Sequence, residues 1–317
     1  MFGIASVLEE HGYKLISEIG SGKFSHCYLC KSIKYELEFV AKVIPGCSDD
    51  IQNVLEMEVQ SKLAHSNIVN IYDKFIEFNY CVLILEYCNN GNLSSLFKLS
   101  KESDPFVIQC IACQILDVLA FAHDEGMQHF GLNPNNIFVD KFNIVKISDF
   151  GIDQILSLNS TSYQHNRPIE YLAPEIFTNI PYNQGKINSY EYDANKADIW
   201  AFGVILYQLV NEGKLPFPGP SFISMYSQIM RGEIELPEDI PLEIKTVIMH
   251  SLDLNVQTRW SAKQLRDYLS SSPKSSPSTK TVRFSRSNRR SLPGNGLVAP
   301  PFHIQAVLRN KYRKNSV

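Results

Sequence analysis

The chain has 317 residues, 44% of them hydrophobic and 20% charged, which excludes collagen-like and low-complexity classes and allows a large buried core. No apolar run approaches the ~20 residues that a membrane-crossing helix needs, MFGIASVLEEHGYK lacks the basic-then-apolar pattern of a secretory leader, and Phe2 stands where N-myristoylation requires glycine. The net charge of −3 hides a division: residues 271–317 hold ten Lys/Arg and no Asp/Glu, leaving 20 Lys/Arg and 33 Asp/Glu in an acidic body of net charge −13.

In chain order, YKLISEIGSG, HCYLCKSI, EFVAKVI and YCVLILEY alternate with turns over the first ~85 residues and predict strands. One helix interrupts them over 50–63, with Ile51, Val54, Leu55, Val59 and Leu63 at helical spacing. CNNGNL (88–93) is a turn-rich connection. Asp104-Pro105 then supplies an N-cap and a proline at the first helical position, ahead of an apolar stripe from Val107 to Ala122 that Gly126 ends. HFGLNPNNIF (129–138) is a polar loop between apolar elements, a setting that commonly holds a ligand. DIWAFGVILYQLV (198–210) is apolar nearly all round and predicts a buried central helix. Residues 271–317, rich in Ser, Pro, Lys and Arg, predict a disordered tail. Strands followed by helices imply an α+β protein of two lobes, 1–86 and 87–270, joined near 86–92.

Seven cysteines, an odd count, point to free thiols in a reducing, cytoplasmic compartment. Two CxxC pairs invite a zinc reading. Cys27 and Cys30, however, lie three apart in a strand and so face opposite sides, and Cys110 and Cys113 sit in an apolar helix where cysteine is an ordinary core residue.

The chemistry-bearing residues recur at a telling spacing. IGSGKFS (19–25) joins two strands, and its glycines let backbone N–H groups approach a phosphate. The strand that follows, where a Rossmann site would have a helix, argues against dinucleotide binding. Lys42 lies in the apolar strand EFVAKVI, Glu56 on the next helix, Asp149-Phe150-Gly151 after NIVKIS, and Ala173-Pro174-Glu175 beyond that. Read by themselves, Lys42, Glu56 and Asp149 form either a phosphate and metal site or an ion-pair cluster between lobes.

Over residues 13–270 this order of motifs resembles the eukaryotic protein kinase family. The resemblance implies a two-lobed fold with an antiparallel-sheet N-lobe carrying one major helix and a mainly helical C-lobe. It implies ATP and Mg²⁺ as cofactors. Ile19, Gly20, Gly22 and Cys27 would lie over the nucleotide, Lys42 would touch its α- and β-phosphates, and Glu56, nine residues before His65, would pair with Lys42, with Glu58 as the fallback. Leu85 would be the gatekeeper, and the backbone of Glu86 and Cys88 would meet the adenine. Asn136 and Asp149 would hold metal, Asp198 would anchor the catalytic loop, and Arg259 would pair with Glu175.

The departures cluster. HFGLNPNNIF resembles HRDLKPENIL, with Phe130 for the arginine, Gly131 for the catalytic aspartate and Asn133 for the lysine. RPIEYLAPE puts Pro168 where the family's threonine would bond those two. Neither Asp140 nor Asp153 occupies the missing position. Residues of the nucleotide side remain, and those of the phosphoacceptor side are altered. The implied protein is an ATP-binding pseudokinase, a scaffold or regulator of signalling, whose partner is an active kinase or its substrate. The alternative is an active serine/threonine kinase with an atypical catalytic loop. Residues 178–197 are longer than the family usual, and their tyrosines (Tyr182, Tyr190, Tyr192) suit either a docking surface or a solvated loop. The tail's charge suits an acidic protein, an anionic membrane or RNA, but no specific nucleic acid is implied.

Overall fold

The computed structural model describes residues 3–22, 25–45, 63–97, 104–150, 168–178 and 192–272. All lie in one compact unit, Met1–Lys280. The predicted helix over 50–63 therefore falls outside the described residues except for Leu63, and so do Glu56, Glu58, Gly151, Asp153, Tyr182, Tyr190 and the predicted tail beyond Ser272, whose first residue, Ser271, is instead the last of a helix.

The N-lobe is a five-stranded antiparallel sheet in the order β1-β2-β3-β5-β4, with β1 Tyr13–Ser21, β2 His26–Ser32, β3 Glu38–Pro45, β4 Ile71–Glu77 and β5 Tyr80–Glu86. Alternation in β3 sorts its side chains by face. Phe39, Ala41 and Val43 are buried on one face with Cys30, Val82 and Ile84. That face is closed by α1 (Ile4–Glu10), whose Leu8 is fully buried in the same cluster. The opposite face carries Lys42 beside Cys27 and Leu83, and Val40 beside Leu29 and Leu85.

Several elements have no counterpart in the sequence reading, α1 and β4 among them. α1 is short and uncapped by any side chain. β4 is an edge strand whose exposed positions break the apolar pattern. Its turn into β5 places Phe78 and Asn79 at positive φ, 48° and 66°, a two-residue hairpin geometry that Asn tolerates but Phe does not advertise.

The C-lobe runs α2 (Leu93–Phe97), α3 (Pro105–Asp124), the β6–β7 hairpin (Ile137–Val139, Val145–Ile147), then α4 (Pro174–Thr178), α5 (Ala194–Val210), α6 (Phe222–Arg231), α7 (Leu242–Ser251) and α8 (Ala262–Ser271). Asp104 caps α3 by accepting the Phe106 N–H at 2.9 Å, as expected of Asp before Pro. The sequence reading found no apolar run of membrane-crossing length, yet α3, with 20 residues, is long and apolar enough by length and composition. Its apolar residues are spent on packing against α5 and α8, and nine of them are buried together with Gln109. Helix α5, starting four residues before the predicted Asp198, is buried around its whole circumference from Asp198 to Leu209.

Candidate functional site

The site lies where the N-lobe sheet meets the loops that flank β6 and β7. Lys42 reaches from β3 to Asp149, just past β7, with Nζ 2.7 Å from Oδ1. Their side chains are only 13% and 24% exposed, so this pair is well sheltered from solvent screening. Asp149 has φ 63°, in the left-handed region that a non-glycine residue adopts at a cost. The following Phe150 is fully buried, its ring centroid 4.7 Å from that of His129. Cys27 sits across from Lys42 on β2, and its thiol pKa is raised, chiefly by burial, with Lys42 opposing and Asp149 adding to the shift. Cys30, three residues on, is buried in the cluster on the other face, the separation that strand alternation predicts.

The strand-joining turn has room beside it. A Cβ built at Gly20 would meet nothing within 4 Å, and one at Gly22 only the Ser25 carbonyl at 3.7 Å. Ile19 on β1 is 41% exposed. At the end of β5, the Glu86 N–H donates to the Asn70 carbonyl at 2.9 Å. Its carboxylate accepts from Lys146 Nζ at 3.0 Å and from Asn70 Nδ2 at 2.8 Å. This three-residue tie was not legible in the sequence, because Lys146 reads there only as a charge in a strand. Cys88 is buried, which pushes its thiol up to about 12, and its carbonyl accepts the Gly91 N–H at 3.2 Å.

Asp198, nearly fully buried on α5, organises the loop at 129–136. It accepts the backbone N–H groups of His129 at 2.7 Å and Phe130 at 3.1 Å, and its Oδ2 lies 3.1 Å from His123 Nε2. Phe130 takes φ 62° to make this turn. His129 Nδ1 accepts the Gly131 N–H at 3.3 Å, so its Nε2 carries the proton donated to the Ser148 carbonyl at 2.9 Å.

Gly131 contributes backbone only. Its carbonyl accepts from Asn133 Nδ2 at 2.8 Å and from Asn136 Nδ2 at 3.1 Å. Asn133 also accepts the Asn135 N–H at 2.9 Å, capping the turn Pro134–Asn136. The residue at the lysine position is thus a structural cap, a role the sequence reading missed although Asn before Pro is a recognisable cap signal. With its amide N–H₂ held, Asn136 has an Oδ1 without a hydrogen bond among the described residues. Phe130, Gly131, Pro168, Tyr171 and Asp198 line a small, open hollow. Asp198 is its sole lining carboxylate among the described residues, and it is committed to the loop backbone. Asp140 accepts the Phe142 and Ile144 N–H groups in the β6–β7 turn and is likewise committed.

Arg259 and Glu175 meet as the sequence reading proposed, in a two-pronged pair at 2.7 and 3.0 Å. Glu56, the proposed partner of Lys42, lies outside the described residues.

The residues fit a Mg²⁺-bound nucleotide. Lys42 is bonded to Asp149, the adjacent Ser148 N–H donates to the Asn136 carbonyl at 2.9 Å, and open space adjoins the glycines.

Comparison with known proteins agrees with this geometry. The chain is 28% identical over 266 residues to sperm motility kinase Z of Mus musculus, an overlap of 82% of this chain and 50% of the relative. It is 26% identical to CBL-interacting protein kinase 15 of Oryza sativa subsp. japonica, over 80% of this chain and 58% of the relative. It is 29% identical to the cell cycle serine/threonine-protein kinase CDC5/MSD2 of Saccharomyces cerevisiae, over 82% and 37%. The chain thus spans about half the length of the curated relatives it matches. Residues 13–269 match the protein kinase domain. With the sheet order, the Lys42–Asp149 pair and the Asp198-anchored loop in place, the chain belongs to the eukaryotic protein kinase family.

Proposed function

We propose that the protein is an ATP-binding pseudokinase that regulates or scaffolds a signalling partner, either an active kinase or that kinase's substrate, with little or no phosphoryl transfer of its own. One contrast carries this reading. The nucleotide side has Lys42 paired to Asp149 at 2.7 Å and a free amide oxygen on Asn136, whereas the loop at Gly131 offers no uncommitted carboxylate among the described residues. Lys42 would hold the α- and β-phosphates, and Asn136 and Asp149 would hold the metal. The bound Mg²⁺ would neutralise phosphate charge. A phosphoacceptor hydroxyl needs a base that orients it and takes its proton, a function worth about 10²–10⁴ in rate, and neither Gly131 nor Asn133 can supply that.

Active phosphoryl transfer is the second reading. It is favoured by the ordered placement of Asp149 and His129 and by relatives whose names are those of kinases. Two measurements decide. Mg·ATP at millimolar concentration should raise the melting temperature of the wild type and not of Lys42→Ala. No rise in the wild type refutes the nucleotide reading. Labelled-phosphate transfer should be at background for the wild type, and transfer that Lys42→Ala abolishes would establish the second reading.

A further inference from the structure

Ten of the twenty residues of α3 are buried. A less buried stripe runs along its other side at helical spacing, through Val107, Cys110, Cys113, Gln114, Asp117 and Phe121. The sequence reading placed both cysteines among ordinary core residues. The structure puts them on this stripe instead, as thiols, each half-buried. Cysteine is one of the most deeply buried residue types, so packing alone does not account for two of them on the outward side of an apolar helix.

Three residues apart on one helix, their α-carbons are about 5 Å apart, inside the range of roughly 4.4–6.8 Å that a disulfide accepts. Their β-carbons, at about 5–6 Å, are wider than the roughly 3.5–4.5 Å of a closed bridge. Closure therefore requires this turn of α3 to tighten. A bridge held under such strain is readily reduced again, as regulatory disulfides are and structural ones are not. Other thiols lack this arrangement. Burial pushes Cys30 and Cys88 up to about 12, where hardly any nucleophilic thiolate exists. Among the described residues no third metal-binding side chain joins the pair, which leaves it two ligands short of a tetrahedral zinc site.

The turn that would tighten also carries a tie to other parts of the fold. Gln114 donates from Nε2 to the Cys110 carbonyl at 3.2 Å. Its Oε1 accepts Asn67 Nδ2 at 2.9 Å and the Val145 N–H at 3.0 Å. One amide side chain thus joins the cysteine turn to Asn67 and to β7, the strand that leads to Asp149. Moving the Cys110 backbone displaces that amide.

We propose that Cys110 and Cys113 are a redox-sensitive dithiol, oxidised by a hydroperoxide to a disulfide within α3 that weakens the Gln114 bonds to Asn67 and Val145. One thiolate attacks the peroxide O–O bond and becomes a sulfenic acid, and the departing oxygen leaves as water with the thiol proton. The second thiolate then attacks the sulfenic sulfur, and its hydroxyl leaves as a second water. The two thiols lose two electrons and two protons, and one hydrogen peroxide becomes two waters. The proposal is independent of nucleotide binding.

The test treats the full chain with millimolar hydrogen peroxide, digests it without reductant and reads the peptides by mass spectrometry. The peptide holding Cys110 and Cys113 should lose two hydrogens and regain them with dithiothreitol. Amide exchange at Val145, measured in parallel, should quicken roughly tenfold on oxidation, as expected for loss of one hydrogen bond, and slow again on reduction. Cys110→Ser and Cys113→Ser should each leave that exchange insensitive to peroxide, and Cys113→Ala repeats the comparison should either serine variant fold poorly. A peptide that keeps both hydrogens, or a bridge from either thiol to a different cysteine, overturns the proposal. So does a Cys110–Cys113 disulfide that leaves exchange at Val145 unchanged. Peroxide that quickens exchange equally in the single-cysteine variants acts elsewhere and overturns it as well.

Discussion

Arg259 is a cation with no side-chain exposure at all, and every part of its guanidinium is used. It makes the two-pronged bond to Glu175, donates from Nε to the Asp253 carbonyl at 2.9 Å and from NH1 to the Lys196 carbonyl at 2.8 Å, and lies 5.1 Å from the Trp200 ring centroid. Breaking a buried pair by removing one partner leaves the other charge uncompensated and typically costs about 3–5 kcal/mol. Glu175→Ala should therefore lower the denaturant midpoint substantially, whereas Glu175→Ala combined with Arg259→Met should recover part of the loss. If the single variant unfolds like the wild type in urea, the pair contributes little. These two residues stand 84 apart in sequence, and only the family pattern made their meeting legible. Asn133 shows the converse. The motif comparison registers it as a missing lysine, but its actual partners, Gly131 and Asn135, are two residues away and were within reach of local capping rules.

At the scale of elements, α5 and α7 approach one another through Gly203. A Cβ built there would lie 2.7 Å from Ser251 Cβ and 2.8 Å from Leu252 Cδ2, closer than carbon atoms pack. Gly203→Ala gains helix propensity of about 1 kcal/mol, but overpacking a filled core costs typically 1–3 kcal/mol, more when backbone must shift. A net loss of stability is expected, read as a lower melting temperature, and a more stable variant would show that α7 yields freely. The apolar run 198–210 announced a buried helix because its composition leaves no polar face. β4 and α1 announced nothing comparable: one is an edge strand with three half-exposed polar or charged positions, the other a seven-residue helix without a side-chain cap. Their places are fixed by tertiary packing, which periodicity does not record.

For the whole molecule, the segment 65–69 straps the upper lobe to the lower. Asn67 donates through Nδ2 to Gln114 Oε1 on α3 at 2.9 Å and to the Val145 carbonyl on β7 at 2.8 Å. The Ile147 N–H reaches the Asn67 carbonyl at 2.8 Å, and the Val69 N–H reaches the Ile147 carbonyl at 2.9 Å. His65 belongs to the same strap. Its Nδ1 accepts the Asn67 N–H at 3.1 Å, and its ring centroid is 5.2 Å from that of Phe121 on α3. Burial lowers its pKa from 6.5, with Asp117 opposing the shift and Lys146 adding to it. The unfolded chain then binds a proton at this histidine before the folded one does, so stability falls as the pH drops below about 6.5 and is fully present above it. The wild-type melting temperature should decline from pH 7 to 5 more steeply than that of His65→Gln. Identical slopes would remove His65 from the account. The two-lobed plan was legible from strands preceding helices. The strap was not, since a short polar turn in sequence carries no mark of the four long-range bonds it makes.

The seat of Leu8 has a further consequence, in the order of events during synthesis. Leu8 is made before two of its neighbours, Val82 and Ile84, which come more than seventy residues later. At about 5–20 residues per second that gap is roughly 4–15 s. During it α1 has nothing to pack on, and seven residues are too few to hold a helix alone. A nascent chain halted before Ile84 leaves the ribosome should expose Ile4–Glu10 to protease, and one halted well beyond should protect them. Helix α1 waits for the last-made strand of the sheet.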